Sequence, residues 1–257
     1  MAGGDGSVAM TPHVLIVAGS DSSGGAGIVR DVETVSAFGL RSSLAVTAVT
    51  VQTHARVERI EQMPPELVAE QMRAAFAANP VAAVKIGMLG TAATIDTVAS
   101  VLASNLPVPV VLDPVLASTS GRQLLDGDAI DALKRKLFPL CTLVTPNLPE
   151  LALLTGLTPT ISEDDIVRQA GKLFDTGAPA ILLKGGHATG ATATDLLLQP
   201  GREPVRFDAS RIAVTMRGTG CMLASAIAAH LAQYETLEIS IGKAKRHVFA
   251  KLLASKP

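Results

Sequence analysis

Two patterns of apolar and polar residues alternate along most of this chain. Short apolar runs stand at 14–18 (VLIVA), 44–51 (LAVTAVTV), 83–87 (AVKIG), 109–113 (PVVLD), 142–145 (TLVT) and 180–184 (AILLK). Runs of that length read as strands, and their mostly continuous apolarity marks strands buried on both faces. Helical patterns separate them near 25–38, 65–78, 91–103, 127–137, 149–154 and 163–176. TDLLL and EPVRFDA then form an extended pair, and two helices follow near 220–233 and 237–254. Repeated strand–helix–strand spacing predicts an α/β fold: a single-domain, doubly wound, mostly parallel sheet with helices on both faces. No internal repeat, low-complexity segment or linker interrupts it. Residues 1–12 are expected to be a flexible tail, and residues 13–257 one domain.

Composition sharpens this picture. Hydrophobic residues make up 48% of the 257 and charged ones 18%, enough for a large core. With no Trp, one Tyr and six Phe, that core must be aliphatic. A net charge of −1 without a basic run gives no footprint for nucleic acid or an anionic membrane. No apolar stretch approaches the roughly 18 residues of a membrane span. Two cysteines cannot build a disulfide framework, so a reducing compartment, the cytoplasm, is expected.

In doubly wound sheets ligands bind outside the carboxyl ends of the strands. The polar and glycine-rich segments GSDSSGGAG, QTH, MLG, DPV, PNLPE and GGH each follow one of the six apolar runs. Six such placements predict an active-site rim. GSDSSGGAG contains neither the dinucleotide-binding G-x-G-x-x-G nor a P-loop. It reads either as a turn or as a close backbone approach to a small ligand, with Asp31 one turn into the next helix facing the pocket. Asp113 and Glu150 read as a Mg2+ pair or, singly, as a strand-end cap and a first-turn helix acid. Lys184, ahead of two glycines, reads as a phosphate contact or as a lysine reaching out from the sheet edge. The histidines, His187 among them, lack metal-binding spacing.

The segment RGTGC, Arg217 to Cys221, precedes a strongly helical run. Bare N–H groups and the dipole at a helix start favour anionic oxygens. A thiol there is expected to fall below its ordinary pKa of about 8.5 and to accept a hydroxyl proton. Cys141, inside an apolar run, is expected to be a small core residue.

AGSDSSGGAGIVRD, TAVTVQT, KIGML, LDPV, TPNLPE, LLKGGH and GTGC, in this order, resemble the hydroxymethylpyrimidine and phosphomethylpyrimidine kinases of thiamine biosynthesis, within the ribokinase-like superfamily. The resemblance spans roughly 14–251. It implies phosphorylation, with ATP and Mg2+, of 4-amino-5-hydroxymethyl-2-methylpyrimidine and then of its monophosphate. By the same resemblance Cys221 is the catalytic base, and Gly218, Thr219 and Gly220 form the anion hole. Gly19, Ala26, Asp31, Gln52, Met88 and Val115 line the pyrimidine site. Lys184 meets phosphate, Arg217 adds charge beside the phosphates, and Asp113 and Glu150 stand near the metal. A homodimer is expected, since relatives are often dimers. The chain departs from the family at Thr53 and His54 (usually Asn-Thr), at Thr119 (often Lys), at Arg217 (usually His), and in ending at AKLLASKP without a glycine-rich segment. A pyridoxal kinase and a non-catalytic pyrimidine-binding regulator are the competing readings.

Overall fold

The computed structural model describes residues 11–117, 123–185 and 190–255. Its elements run β1 (His13–Asp21), α1 (Gly27–Ala37), β2 (Arg41–Gln52), β3 (Val57–Gln62), α2 (Pro65–Ala78), β4 (Val81–Ile86), α3 (Ala92–Ala103) and β5 (Val110–Leu112). Then come α4 (Ala129–Ala132), β6 (Leu143–Val144), α5 (Leu148–Thr155), α6 (Glu163–Phe174), β7 (Ile181–Leu183), β8 (Thr192–Leu198), β9 (Val205–Ser210), α7 (Thr219–Ala232) and α8 (Leu237–Ala254). Past α4 the helix expected over 127–137 widens into a π turn, Leu133–Leu137.

Among the described residues the nine strands form one sheet in the order β3-β2-β1-β4-β5-β6-β7-β8-β9. From β2 through β7 every neighbouring pair is parallel, and β3, β8 and β9 join antiparallel at the two ends. The chain leaves β1 for β2 on one side and returns to β4 on the other. This reversal opens a crevice between the ends of β1 and β4, the usual ligand position in such sheets.

Side chains along β1 alternate between two aliphatic cores. Leu15 and Val17 join Met72, Ile95, Val98 and Leu137 on one face, while Val14 and Ile16 meet Ile28, Val35, Ile227 and Ile241 on the other. Both sets are almost wholly out of water, which explains the unbroken apolarity of the run. At about 1.5–3 kcal/mol for each fully buried aliphatic side chain, these two layers dominate the folding energy. Helix α7 is buried at every position from Met222 to Ala232, so its start is fixed relative to the sheet. Strand β3 was not expected: its VERIEQ sequence is mostly polar because it forms the exposed sheet edge. Among the described residues no helix is long and apolar enough to cross a membrane.

Candidate active site

Backbone hydrogen bonds fasten the carboxyl-end loops in series. Gly87 N–H donates to Val17 C=O at 2.9 Å, Asp113 N–H to Ile86 C=O at 2.9 Å, Thr145 N–H to Leu112 C=O at 2.8 Å, and Lys184 N–H to Pro146 C=O at 2.9 Å. The residues just past the strands therefore share one rim.

Lys184 Nζ donates to Asp113 Oδ1 at 2.6 Å and lies 3.5 Å from Glu150 Oε2. Burial works against the lysine's charge, but the two carboxylates outweigh it and hold the ammonium firmly protonated. Burial also raises Glu150 above the usual carboxylate range, with Lys184 pulling the other way and Asp113 adding to the rise. Glu150 closes the capping box of α5: its Oε2 accepts Asn147 N–H at 2.7 Å, and Asn147 Oδ1 accepts Glu150 N–H at 2.8 Å. One carboxylate thus starts a helix and faces the lysine. A methyl group placed on Gly220 would lie 3.4 Å from Lys184 Nζ and 3.5 Å from Asp113 Oδ2, so the start of α7 meets this lysine and aspartate directly. The N-cap is Gly218, in a left-handed conformation at φ 74°, which has no side chain with which to cap that start. The first N–H groups of a helix lack intrahelical partners, which suits an anionic oxygen at such a start.

Cys221 is half-buried in the first turn of α7. Burial pushes its thiol up to about 11; the Lys85 ammonium and Gly27 N–H pull down, while Asp31 and Asp113 push further up. This corrects the expectation of a lowered thiol pKa: loss of water outweighs the helix start. Cys141 is buried as expected, and burial raises its thiol strongly.

Asp31 requires a second correction. It is fully buried, and accepts from Lys85 Nζ at 2.7 Å and from Ser225 Oγ at 2.8 Å, so it faces the core between α1, β4 and α7 instead of the pocket. Burial opposes Lys85's charge, but Asp31, Cys221 and Asp113 prevail and favour the ammonium, whereas burial raises Asp31 despite Lys85. The short contact, with Ser225 also donating, is that of an ion pair, and we assign that state. Ser225 lies one turn beyond Cys221, so the pair anchors the helix that carries the thiol.

On the other side of the crevice Gly19 adjoins Met88: a methyl group on Gly19 would lie 3.3 Å from Met88 Sδ. Ala26, the N-cap of α1, packs against the Gly218–Gly220 loop, since a methyl on Gly218 would lie 3.1 Å from Ala26 Cα. Gln52 ends β2; its N–H donates to Ser22 Oγ and its C=O accepts from the same hydroxyl, each at 2.8 Å. Val115, half-buried, follows Asp113 by two residues and donates its N–H to the Asp113 carbonyl at 2.9 Å. Arg217 is the third correction. Its guanidinium is committed to Asp21, Ser23 and the Thr53 carbonyl, on the β1 and β2 loops, in place of standing open beside the phosphates. Thr119, Gly186 and His187 lie outside the described residues.

The sequence reading missed Lys85 and the Asp195–Lys245 pair. Asp195 Oδ1 accepts Gly185 N–H at 2.9 Å and its Oδ2 meets Lys245 Nζ at 2.8 Å, which steadies the loop carrying Lys184. A lysine inside the apolar run AVKIG was the available signal for the first. A cavity of about 440 Å3 between α2 and α3, lined by Glu66, Arg73 and Asp96 among others, shares no residue with the crevice. Among the described residues no cluster of three or more His, Cys, Asp or Glu could hold a metal. The two carboxylates of Asp113 and Glu150 do fit a Mg2+ whose shell is completed by phosphate and water.

The sequence model of the family described as phosphomethylpyrimidine kinase matches residues 21–256. The chain belongs to that family. It is 43% identical over 247 residues to the hydroxymethylpyrimidine/phosphomethylpyrimidine kinase of Rhizobium meliloti, covering 96% of this chain and 92% of that one. It is 44% identical over 246 residues to the thiamine biosynthesis bifunctional protein ThiED of Geobacter sulfurreducens, covering 95% of this chain but only 50% of that longer protein. Among solved structures, phosphomethylpyrimidine kinase from Clostridium difficile 630 superposes with a TM-score of 0.80 at 33% identity, over 94% of this chain and 99% of that one. The ADP complex of Bacillus subtilis pyridoxal kinase superposes at 0.84 with 28% identity, over 92% of this phosphomethylpyrimidine kinase family member and 90% of its own chain. The ribokinase-like fold is common to both.

Proposed function

We propose that the chain transfers the γ-phosphoryl group of ATP to the hydroxymethyl oxygen of 4-amino-5-hydroxymethyl-2-methylpyrimidine, and a second to the resulting monophosphate, in thiamine biosynthesis. The observation that carries this reading is the meeting of Lys184 and Asp113 with Gly220 at the glycine-capped start of α7. Phosphoryl transfer passes through a loose transition state, so positioning and charge complementarity do most of the catalytic work. Here Lys184 and the N–H groups of Thr219, Gly220 and Cys221 face the negative charge that develops on the moving group. The Cys221 thiolate takes the hydroxyl proton; with the thiol pushed up to about 11, only a small fraction is ionised near neutral pH, so turnover should rise as the pH approaches that range. Gly19, Met88, Gln52, Ala26 and Val115 hold the ring, with Met88 offering a polarisable flat contact. Asp31 supports this arrangement from below by anchoring α7. Mg2+ accompanying the nucleotide would be held by Asp113 and Glu150 and would offset phosphate charge. We read the enzyme as a cytoplasmic homodimer that binds small molecules only; the exposed Leu44, Val49 and Val51 on β2 support association between copies.

The test is ADP release by the purified chain with ATP and Mg2+, comparing kcat/KM for the pyrimidine and for pyridoxal. The proposal expects the pyrimidine to be favoured by at least roughly tenfold, the scale of one or two hydrogen bonds at about 0.5–1.5 kcal/mol each. Release no faster than without the pyrimidine would sink it, and preference for pyridoxal would reassign the substrate.

A further inference from the structure

We infer that Arg217 is a positioning residue that clasps the pyrimidine side of the crevice to its phosphoryl-transfer side; the inference rests on the kinase reading above. Its Nη2 lies 3.1 Å from Asp21 Oδ2, while Nη1 donates to Ser23 Oγ at 2.8 Å and to the Thr53 carbonyl at 3.2 Å. One planar fork therefore joins three segments distant in sequence: the loop after β1, the tip of the β2–β3 hairpin and the anion loop itself. The side chain lies across Gly25, where a methyl group would come within 3.1 Å of Nη1 and 3.5 Å of Arg217 Cβ. A side chain at 25 would press on the guanidinium and make it shift by a few tenths of an ångström.

The partners are themselves held. Asp21 is buried, and its Oδ1 accepts from Ser23 N–H at 2.9 Å and Ser23 Oγ at 2.7 Å, so the carboxylate presents its second oxygen to the guanidinium. Thr53 donates its N–H to the Arg56 carbonyl at 2.9 Å, and its Oγ1 accepts from the N–H groups of Ala55 and Arg56, each at 3.2 Å. Holding the Thr53 carbonyl thus holds the whole hairpin tip and Gln52 just before it. Ser22 already ties the β1 loop to Gln52, but that link does not reach α7. Arg217 does, because it continues directly into Gly218, the N-cap of α7.

The pyrimidine contacts and the thiol must keep a fixed separation if the hydroxyl is to face both the base and the phosphoryl group. A displacement near 1 Å can cost about 10²-fold in rate. A lysine cannot substitute, since a single ammonium on a flexible stem does not reproduce a rigid fork of donors.

The experiment compares Arg217→Lys and Arg217→Met with the unaltered full chain. It measures kcat, KM for the pyrimidine, KM for ATP, and amide hydrogen exchange of the peptide spanning 52–56 without substrate. Both variants should lose about 10- to 100-fold in kcat over KM for the pyrimidine, on the scale of such a misplacement. Both should leave KM for ATP within about twofold, far below that scale, and both should speed exchange at 52–56. Lysine should do no better than methionine. Wild-type rates in Arg217→Lys, or a raised KM for ATP with unaltered exchange, would overturn the clasp in favour of a simple charge beside the phosphates. Asp21→Asn, which keeps the side chain's size, covers the case in which the Arg217 variants fail to fold. It should reproduce the faster exchange and the loss against the pyrimidine, and wild-type behaviour there would likewise overturn the inference. If the unaltered chain does not turn over the pyrimidine, the kinase reading fails, and the exchange data still decide whether the clasp exists.

Discussion

A thiol at a helix start feels two opposed influences, and Cys221 shows which one wins. The dipole and bare N–H groups favour thiolate by about 0.3–1 kcal/mol, or up to about 2 when partly buried. Removal from water can cost the charged form several times that. The balance at Cys221 leaves the thiol at about 11 even with Lys85 nearby. Below its pKa a thiol reacts in proportion to its ionised fraction, so each pH unit should multiply the rate about tenfold. Alkylation of Cys221 by iodoacetamide should therefore keep rising from pH 7 to pH 10, with Cys141 too deeply buried to interfere. A plateau at or below pH 8.5, the range of an ordinary thiol, would contradict this balance. Residue type and helix position could be read from the sequence, whereas the depth of burial depends on how α1, β4 and α7 close around the sulfur. Asp31 carries the same lesson. A residue one turn into α1 can face either pocket or core, and Lys85, 54 positions later, decides for the core.

At the scale of elements, the site depends on loops that approach more closely than side chains allow. Gly218 has φ 74°, and a methyl group there would lie 2.5 Å from the Gly25 carbonyl oxygen. Gly39, after α1, has the same φ of 74° but nothing within 4 Å of such a methyl group. Alanine at either position costs about 1–2 kcal/mol for the left-handed backbone, equivalent to roughly 2–8 °C in Tm. Only Gly218→Ala must also push the anion loop off the β1 loop. Thermal unfolding and steady-state kinetics should therefore show both variants destabilised, with kcat falling in Gly218→Ala alone. Full activity in Gly218→Ala would mean the loop position is not critical. Most elements were legible because buried parallel strands write themselves as continuous apolar runs, as in VLIVA and AILLK. The Asn147–Glu150 capping box was legible too, as N-x-x-E in PNLPE. Strand β3 was not, since an edge strand needs no apolar face and its charges resemble a loop.

For the whole molecule, sheet order turns local motifs into a site. The reversal at β1 sets Gly19 beside Met88, and the parallel run to β7 brings Asp113, Glu150 and Lys184 together, with Asp113 and Lys184 against the start of α7. That convergence could be anticipated from the rule that ligands bind at the carboxyl ends of such strands. Arg217 was placed in the correct loop but given the wrong partners, because its choice of Asp21 and Thr53 depends on where the β2–β3 hairpin folds over. The account's central claim is that these loops deliver a substrate hydroxyl to Cys221. Its most direct test is the turnover number of Cys221→Ala with the pyrimidine, ATP and Mg2+. The account predicts a fall in kcat of about 10²–10⁴, the range for a lost general base, with KM for the pyrimidine nearly unchanged. A loss smaller than roughly tenfold, well under that range, would contradict it.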